Sequence, residues 1–437
     1  MQTPGCAVLK SLIAVGAFAL ASLPVSAQRI SADAVKNGHF PQALRGHLDR
    51  SPDKSIHRLS STGTGPSAAV AAARSADPPR HIVSPFLHPS SRSGSINYGF
   101  LVGANPFSGR ETFSDREGTS ASVKTFIVPL VIKVHQVATD FSVDANNNLI
   151  LTGIKDQEAT YDPTQPAPAC LGSKNNVPFT LAVQSPVFQN HRWVWGGTDL
   201  GDTQYPDAFQ RANFWNATGE DPGDYHIHLG TRALPPLVID FPIGSGIGLP
   251  QSSKFLNYST CGPTVLVDIN LFDEYLDYIA IPQMASEGVN SGNFPMFIAG
   301  NVLWGAVIGQ LPYYEAEAAG YHSTSSVDPA QTYGVTQFGD ETVFTWPDAV
   351  PLSHEVGEWM NDPTGANLVQ AYNVNAAYNS VYDPTGPVVC QGNYEVGDIL
   401  AGFFMPPVTG KNGYTYTLQE LAFFSYFYGG PSIAANG

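Results

Sequence analysis

"TFIVPLVIKVHQV", residues 125–137, is an apolar run dominated by β-branched side chains. Such residues fit a pleated, packed surface, so the run predicts a buried strand. "VPFTLAVQSPVF" (177–188) reads the same way. After "GTDLGDTQYPDAFQRANFWNAT", the spacing of Tyr205, Ala208, Phe209, Ala212 and Phe214 suits a short helix packed by one face. "PTVLVDINLFDEYLDYIA" (263–280) starts as a strand and continues as a helix. Residues 294–311, "FPMFIAGNVLWGAVIGQL", are apolar but carry Pro295, Asn301, Gln310 and three glycines, which favours buried strands over a membrane helix. The 42 Gly and 35 Pro of the chain imply short strands joined by many turns rather than a helical bundle.

Residues 1–27 run from Lys10 through "SLIAVGAFALASLPV" to "VSA" before Gln28, the layout of a cleaved secretory signal. Cys6 precedes the apolar core and is badly placed for a lipid anchor. Residues 28–95 are rich in Ser, Ala, Pro, Arg and His with little apolar periodicity, so they are expected to form a disordered linker or pro-segment. Residues 28–92 hold nine Lys/Arg against four Asp/Glu; with Lys10 set aside, the rest has 11 basic and 33 acidic residues, a formal charge of −22. That balance argues against nucleic acid or anionic membrane as partners of the body, and allows the leader either to cover an acidic cleft or simply to tether. The body, 96–437, is expected to be a single large globular domain, or two coupled subdomains with the metal-site part at about 290–437. Cys170, Cys261 and Cys390 allow one disulfide in any of three pairings.

The chemistry concentrates in "AVPLSHEVGEWMNDP" (349–363), expected to be a helix with Ser353 as N-cap, Glu355 in the first turn and Pro363 as its stop. Positions i and i+4 share a helical face, so His354 and Glu358 can reach one metal ion while Glu355 sits about 100° around the axis, able to hold a water. This is the HExxH metal-site pattern with a carboxylate in place of the second histidine. Zinc accepts both ligand types, and the extra oxygen makes Mn2+ or Ca2+ more competitive than at a two-histidine site. The third ligand is expected from "CQGNYEVGDIL": either Glu395 or Asp398, which share a face if helical, so that one ligates and the other orients His354.

"SHEVGEWMNDP", "YEVGD" (394–398) and "GYTYTLQELAFFSYF" (413–427), preceded by "AGYHS" (319–323), resemble in order the C-terminal half of the phosphate-induced protein/EXORDIUM family and its secreted bacterial relatives. The resemblance covers about 310–430 and implies an extracellular protein with a zincin-like metal site and a closing aromatic strand. The chain departs from the plant pattern in having Cys390 before, rather than after, the acidic segment, so no disulfide placement follows. The expected fold class is α+β: a mixed or antiparallel sheet, a β-rich N-terminal half and a zincin-like active-site helix.

His322 is a candidate catalytic residue that donates to a developing oxyanion or holds substrate. His226 and His228 share one face of a predicted strand, a metal pair in principle, but such a pair more often packs at a sheet edge and no carboxylate nearby completes the site. The aromatic stretches "HRWVWGG" (191–197) and "QLPYYEAEAAGYH" (310–322) read as loops that either stack sugar rings or peptide side chains or, as is the default for aromatics, bury their rings. Two functions compete. One is a secreted metal-dependent hydrolase, most simply a peptidase acting on a peptide or cell-wall polymer, with Glu355 as general base. The other is a non-catalytic extracellular or cell-wall-associated binding protein with a structural metal site. Glycoside hydrolysis is disfavoured, because Glu355 and Glu358 on one helix do not readily flank a sugar from both faces.

Overall fold

The computed structural model describes residues 82–83, 100–104, 106, 120–143, 149–167, 171–173, 175–215, 225–249, 262–307, 313–339, 347–365, 367–373 and 390–428. The signal segment, the leader apart from residues 82–83, Cys170, Cys261 and the side chain of Cys390 lie outside them. Ile82–Val83 pairs antiparallel with Leu101–Val102.

The apolar run 125–137 lies within β1 (Ser120–Val143), the strand around which an 11-stranded mixed sheet is organised. The other strands are β2 (Leu149–Tyr161), β3 (His226–Ala233), β4 (Leu237–Asp240), β5 (Gly246–Leu249), β6 (Thr264–Asp268), β7 (Phe294–Ala299), β8 (Val302–Val307), β9 (Tyr313–Ala318), β10 (Gly320–Thr324) and β11 (Thr332–Gln337). The first half of β1 lies between β3 and β7, both parallel to it. Beyond β7, the sheet continues with parallel β11 and antiparallel β10. The second half of β1 pairs with β2 and β4, and the path β2-β9-β8-β6-β5 returns to β1 where Gly248 meets Val137. The run 294–311 thus supplies two buried strands in different halves of the sheet. The chain crosses between them at Gly300-Asn301, with Asn301 in the left-handed region at φ 53°.

The period-2 alternation of β1 feeds two cores. Val123 and Ile127 join one with Ile227, Met296 and Leu352, while Phe126, Val128, Leu130 and Ile132 join another with Phe272, Leu276 and Trp304. The second core is covered by α3 (Ile269–Tyr275), capped by Asp268, which accepts from the N–H groups of Asn270 and Leu271. It continues as a π-helical turn, Leu276–Ala280. The first core contains α4 (Val350–Asn361), which is buried on every face.

Three local expectations need correction. Residues 178–184 form helix α1, not a strand. Pro178 at its start presets a helical φ, and the buried positions Pro178, Leu181 and Ala182 follow a helical spacing. The helix α4 begins a turn earlier than Ser353, because Pro351 suits its first turn. Ala349 is the N-cap, Ser353 donates to the Val350 carbonyl from inside the helix, and Glu355 lies in the second turn. The closing aromatic segment is not a long strand: Thr415–Tyr416 pairs with Val408–Thr409, and Phe424–Tyr428 is helix α5. Helix α2 (Tyr205–Asn213) forms where its apolar spacing places it, with Asp362 following α4 as C-cap just before Pro363.

Trp359 joins α4 to the sheet. Its ring stacks on Phe294 at 3.7 Å between centroids and its indole N–H donates to Thr332 Oγ1 at 2.9 Å. Trp359→Phe keeps an aromatic ring but loses that hydrogen bond and some packing volume. A loss of roughly 1–2 kcal/mol in urea unfolding is expected.

Candidate metal centre

Strand alternation and helix periodicity meet at this site. In β10, Tyr321 points to one face and donates to Asp273 Oδ1 of α3 at 2.6 Å. His322 therefore points to the opposite face, toward α4. There its Nδ1 lies 3.5 Å from Glu355 Oε2 and 3.8 Å from Glu358 Oε2. One helical turn apart, His354 and Glu358 converge: Nε2 and Oε2 are 3.0 Å apart. Asp398 Oδ1 comes within 3.4 Å of the same Nε2. His354, Glu358 and Asp398 form one set of mutually close donor atoms, and His322, Glu355 and Glu358 form another. Either set has the composition of a divalent-cation site. All of these residues are buried, from 0% exposed for Glu358 to 8% for Asp398.

Glu395 and Asp398 do not share a helical face. The 3-10 turn begins only at Asp398, so the two side chains diverge. Asp398 turns to His354, while Glu395 Oε2 lies 3.7 Å from His322 Nε2 and its Oε1 accepts from Asn393. The residue that orients His354 is instead Gln419, which nothing in its setting "TLQELAFF" marks out. Its Nε2 donates to the Gly397 carbonyl at 2.6 Å, so its Oε1 must face His354 Nδ1, 2.9 Å away. The Nδ1 therefore carries a proton, which leaves Nε2, facing Glu358 and Asp398, as the ring nitrogen able to bind a cation. The backbone of Gln419 is fixed in turn, its N–H donating to Ser353 Oγ at 2.9 Å. Gly397 is required for this approach: a Cβ there would stand 2.7 Å from His354 Nδ1.

Glu358 is committed through one oxygen only. Its Oε1 accepts from the N–H groups of Gly397 and Asp398, at 3.0 and 3.1 Å. Among the described residues no donor is aligned on its buried Oε2, although it lies beside His354 Nε2. An imidazole nitrogen and a carboxylate oxygen held 3.0 Å apart have the disposition of two ligands of one cation, or of a proton held between them where no cation is bound. Burial alone would lower the pKa of both histidines, but the carboxylates outweigh it. Glu355 and Glu358 raise His322, and Glu358 and Glu355 hold His354 well above the usual imidazole range. Burial raises Glu358, with His354 partly offsetting it, and burial together with Glu358 and Asp362 pushes Glu395 well above the usual carboxylate range. Without a cation, such a cluster retains protons that a bound ion displaces.

His226 and His228 belong to no such set among the described residues. They stack at 5.2 Å, and His226 Nδ1 lies 2.8 Å from Asp207 Oδ2, a carboxylate from α2 that sequence distance concealed. Asp207 also accepts from Ile227 N and Thr203 Oγ1, so the arrangement anchors α2 to β3. The aromatic stretch 191–197 is a hairpin rather than a loop, His191–Trp195 pairing with Thr198–Thr203. Trp193 and Trp195 line an apolar hollow with Phe209, Leu421 and Phe423. Tyr313–Ala318 of the other aromatic stretch is strand β9.

Replacing Gln419 by leucine removes the acceptor that fixes the His354 ring while keeping similar bulk. Zinc affinity, read by competition with a chelating dye, is expected to fall 10–100-fold, as is typical for loss of a ligand's hydrogen-bond partner.

No protein-family model matches the chain, and no curated protein or solved structure is significantly similar to it.

Proposed function

We propose that the chain is a secreted metal-dependent hydrolase, most simply a zinc peptidase of HExxE type, with α4 as a zincin-like active-site helix. The observation that carries this reading is the convergence of His354 Nε2, Glu358 Oε2 and Asp398 Oδ1, with Glu355 on the adjoining face. A nitrogen and two carboxylate oxygens suit Zn2+ first, with Mn2+ or Ca2+ as the oxygen-rich alternatives. A bound ion would supply Lewis acidity toward a carbonyl oxygen and a water. Glu355 is the proton carrier: its Oε1 is 4.0 Å from His354 Nε2, beside the ligand set, and its carboxylate is positioned to take a proton from the attacking water and pass it to the leaving amine. His322, 3.5 Å from Glu355 Oε2, positions that carboxylate. The signal-like residues 1–27 support export. Among the described residues no helix is long and apolar enough to cross a membrane.

A second reading rests on burial. A centre whose donors are no more than 8% exposed is also what a closed, structural metal site in a binding protein requires. Incubating the zinc-loaded protein with a peptide library separates the two. Cleavage that stops on chelation supports the hydrolase, and a tightly metal-loaded protein without cleavage transfers the assignment to the binding protein.

A further inference from the structure

We propose that the centre holds two divalent cations bridged by Glu358, the second bound by His322, Glu355 and Glu358. The inference rests on the metal reading above and extends it. His322 Nε2 lies 2.9 Å from the Asp362 carbonyl, a partner that can only accept, so Nε2 carries the ring proton. Nδ1 is then the ring nitrogen left to bind a cation, and it faces Glu355 Oε2 and Glu358 Oε2 at 3.5 and 3.8 Å. A charge-assisted hydrogen bond from a protonated ring would close to about 2.7–2.9 Å. Ligand atoms bonded at ~2.0–2.2 Å around one ion lie about 3–3.5 Å apart, much nearer the spacing observed.

The two histidines do not belong to one set of mutually close donors; each has its own, and Glu358 is common to both. The shared atom is Oε2, which is fully buried, has no hydrogen-bond donor aligned on it among the described residues, and faces both imidazoles. Five carboxylates, Glu355, Glu358, Asp362, Glu395 and Asp398, are buried around the two rings, more negative groups than one divalent ion neutralises. Carboxylate-bridged ions about 3.5–4 Å apart form a known hydrolytic arrangement that clamps both the attacking and leaving atoms. Glu355 retains its proton-carrying role in it, since Oε2 serves the second ion while Oε1 faces His354.

The test is titration of the metal-stripped full chain with Mn2+ or Zn2+, read as bound ions per chain, together with electron paramagnetic resonance of the Mn2+ form. Two ions per chain, one in His322→Ala, and the exchange-coupled spectrum of a bridged pair are expected. The spectrum of the wild-type protein needs no variant to fold. One ion per chain with an uncoupled spectrum overturns the second site, whether or not His322→Ala still binds it, and leaves the proposed hydrolase standing. No bound ion overturns both.

Discussion

Glu358→Ala is expected to strip the protein of its metal and to destabilise it. In the proposed site the carboxylate supplies Oε2 to the ion, while its Oε1 accepts two backbone N–H groups, from Gly397 and Asp398. If the ~10–16 kcal/mol of a structural zinc site is shared among four ligands, one ligand accounts for about 2.5–4 kcal/mol, or on the order of 10²–10³ in affinity. Truncation also leaves two N–H groups without their acceptor in the interior, which costs about 1–3 kcal/mol each. Glu358→Gln separates these effects. It keeps a carbonyl oxygen for the Gly397 and Asp398 N–H groups but loses the anionic charge, so it should fold nearly as well as the wild type and still bind zinc weakly. Metal content after dialysis and urea unfolding of both variants measure the two parts independently. Full metal occupancy in Glu358→Ala would remove Glu358 from the ligand set.

Glu355→Gln is expected to keep the ion held by His354, Glu358 and Asp398 and to lose the reaction. Glutamine leaves a carbonyl oxygen where the carboxylate stood, so the side chain still fits between His322 and His354, but it cannot accept a proton. Loss of a general base costs typically 10²–10⁴ in rate. The comparison is peptide-library cleavage by variant and wild type at matched metal content. Unchanged cleavage would show that Glu355 is not the base.

The sequence reveals the strands of the sheet where side chains are unambiguous. The β-branched run at 125–137 can hardly be placed except as a buried strand, and Val265, Leu266 and Val267 followed by Asp268 mark both a strand and the cap of the helix after it. Residues 177–188 mislead because a short apolar run has no distinctive period, and Pro178 was the signal that decided for helix. The pair His354 and Glu358 is legible because helix geometry is local. The rest of the centre is assembled by tertiary contacts. Spacing alone does not choose between Glu395 and Asp398, because the backbone turns at Gly397, between them. His322 comes to the site through strand alternation in β10, and Gln419 through a segment 65 residues from His354.

The central claim is that α4 and the 395–398 turn build a metal site. The most direct measurement is an anomalous-difference map from zinc-soaked crystals of the full chain. A peak is expected at bonding distance, ~2.0–2.2 Å, from His354 Nε2, Glu358 Oε2 and Asp398 Oδ1. A map with no peak within bonding distance of His354 and Glu358 at saturating zinc would contradict it.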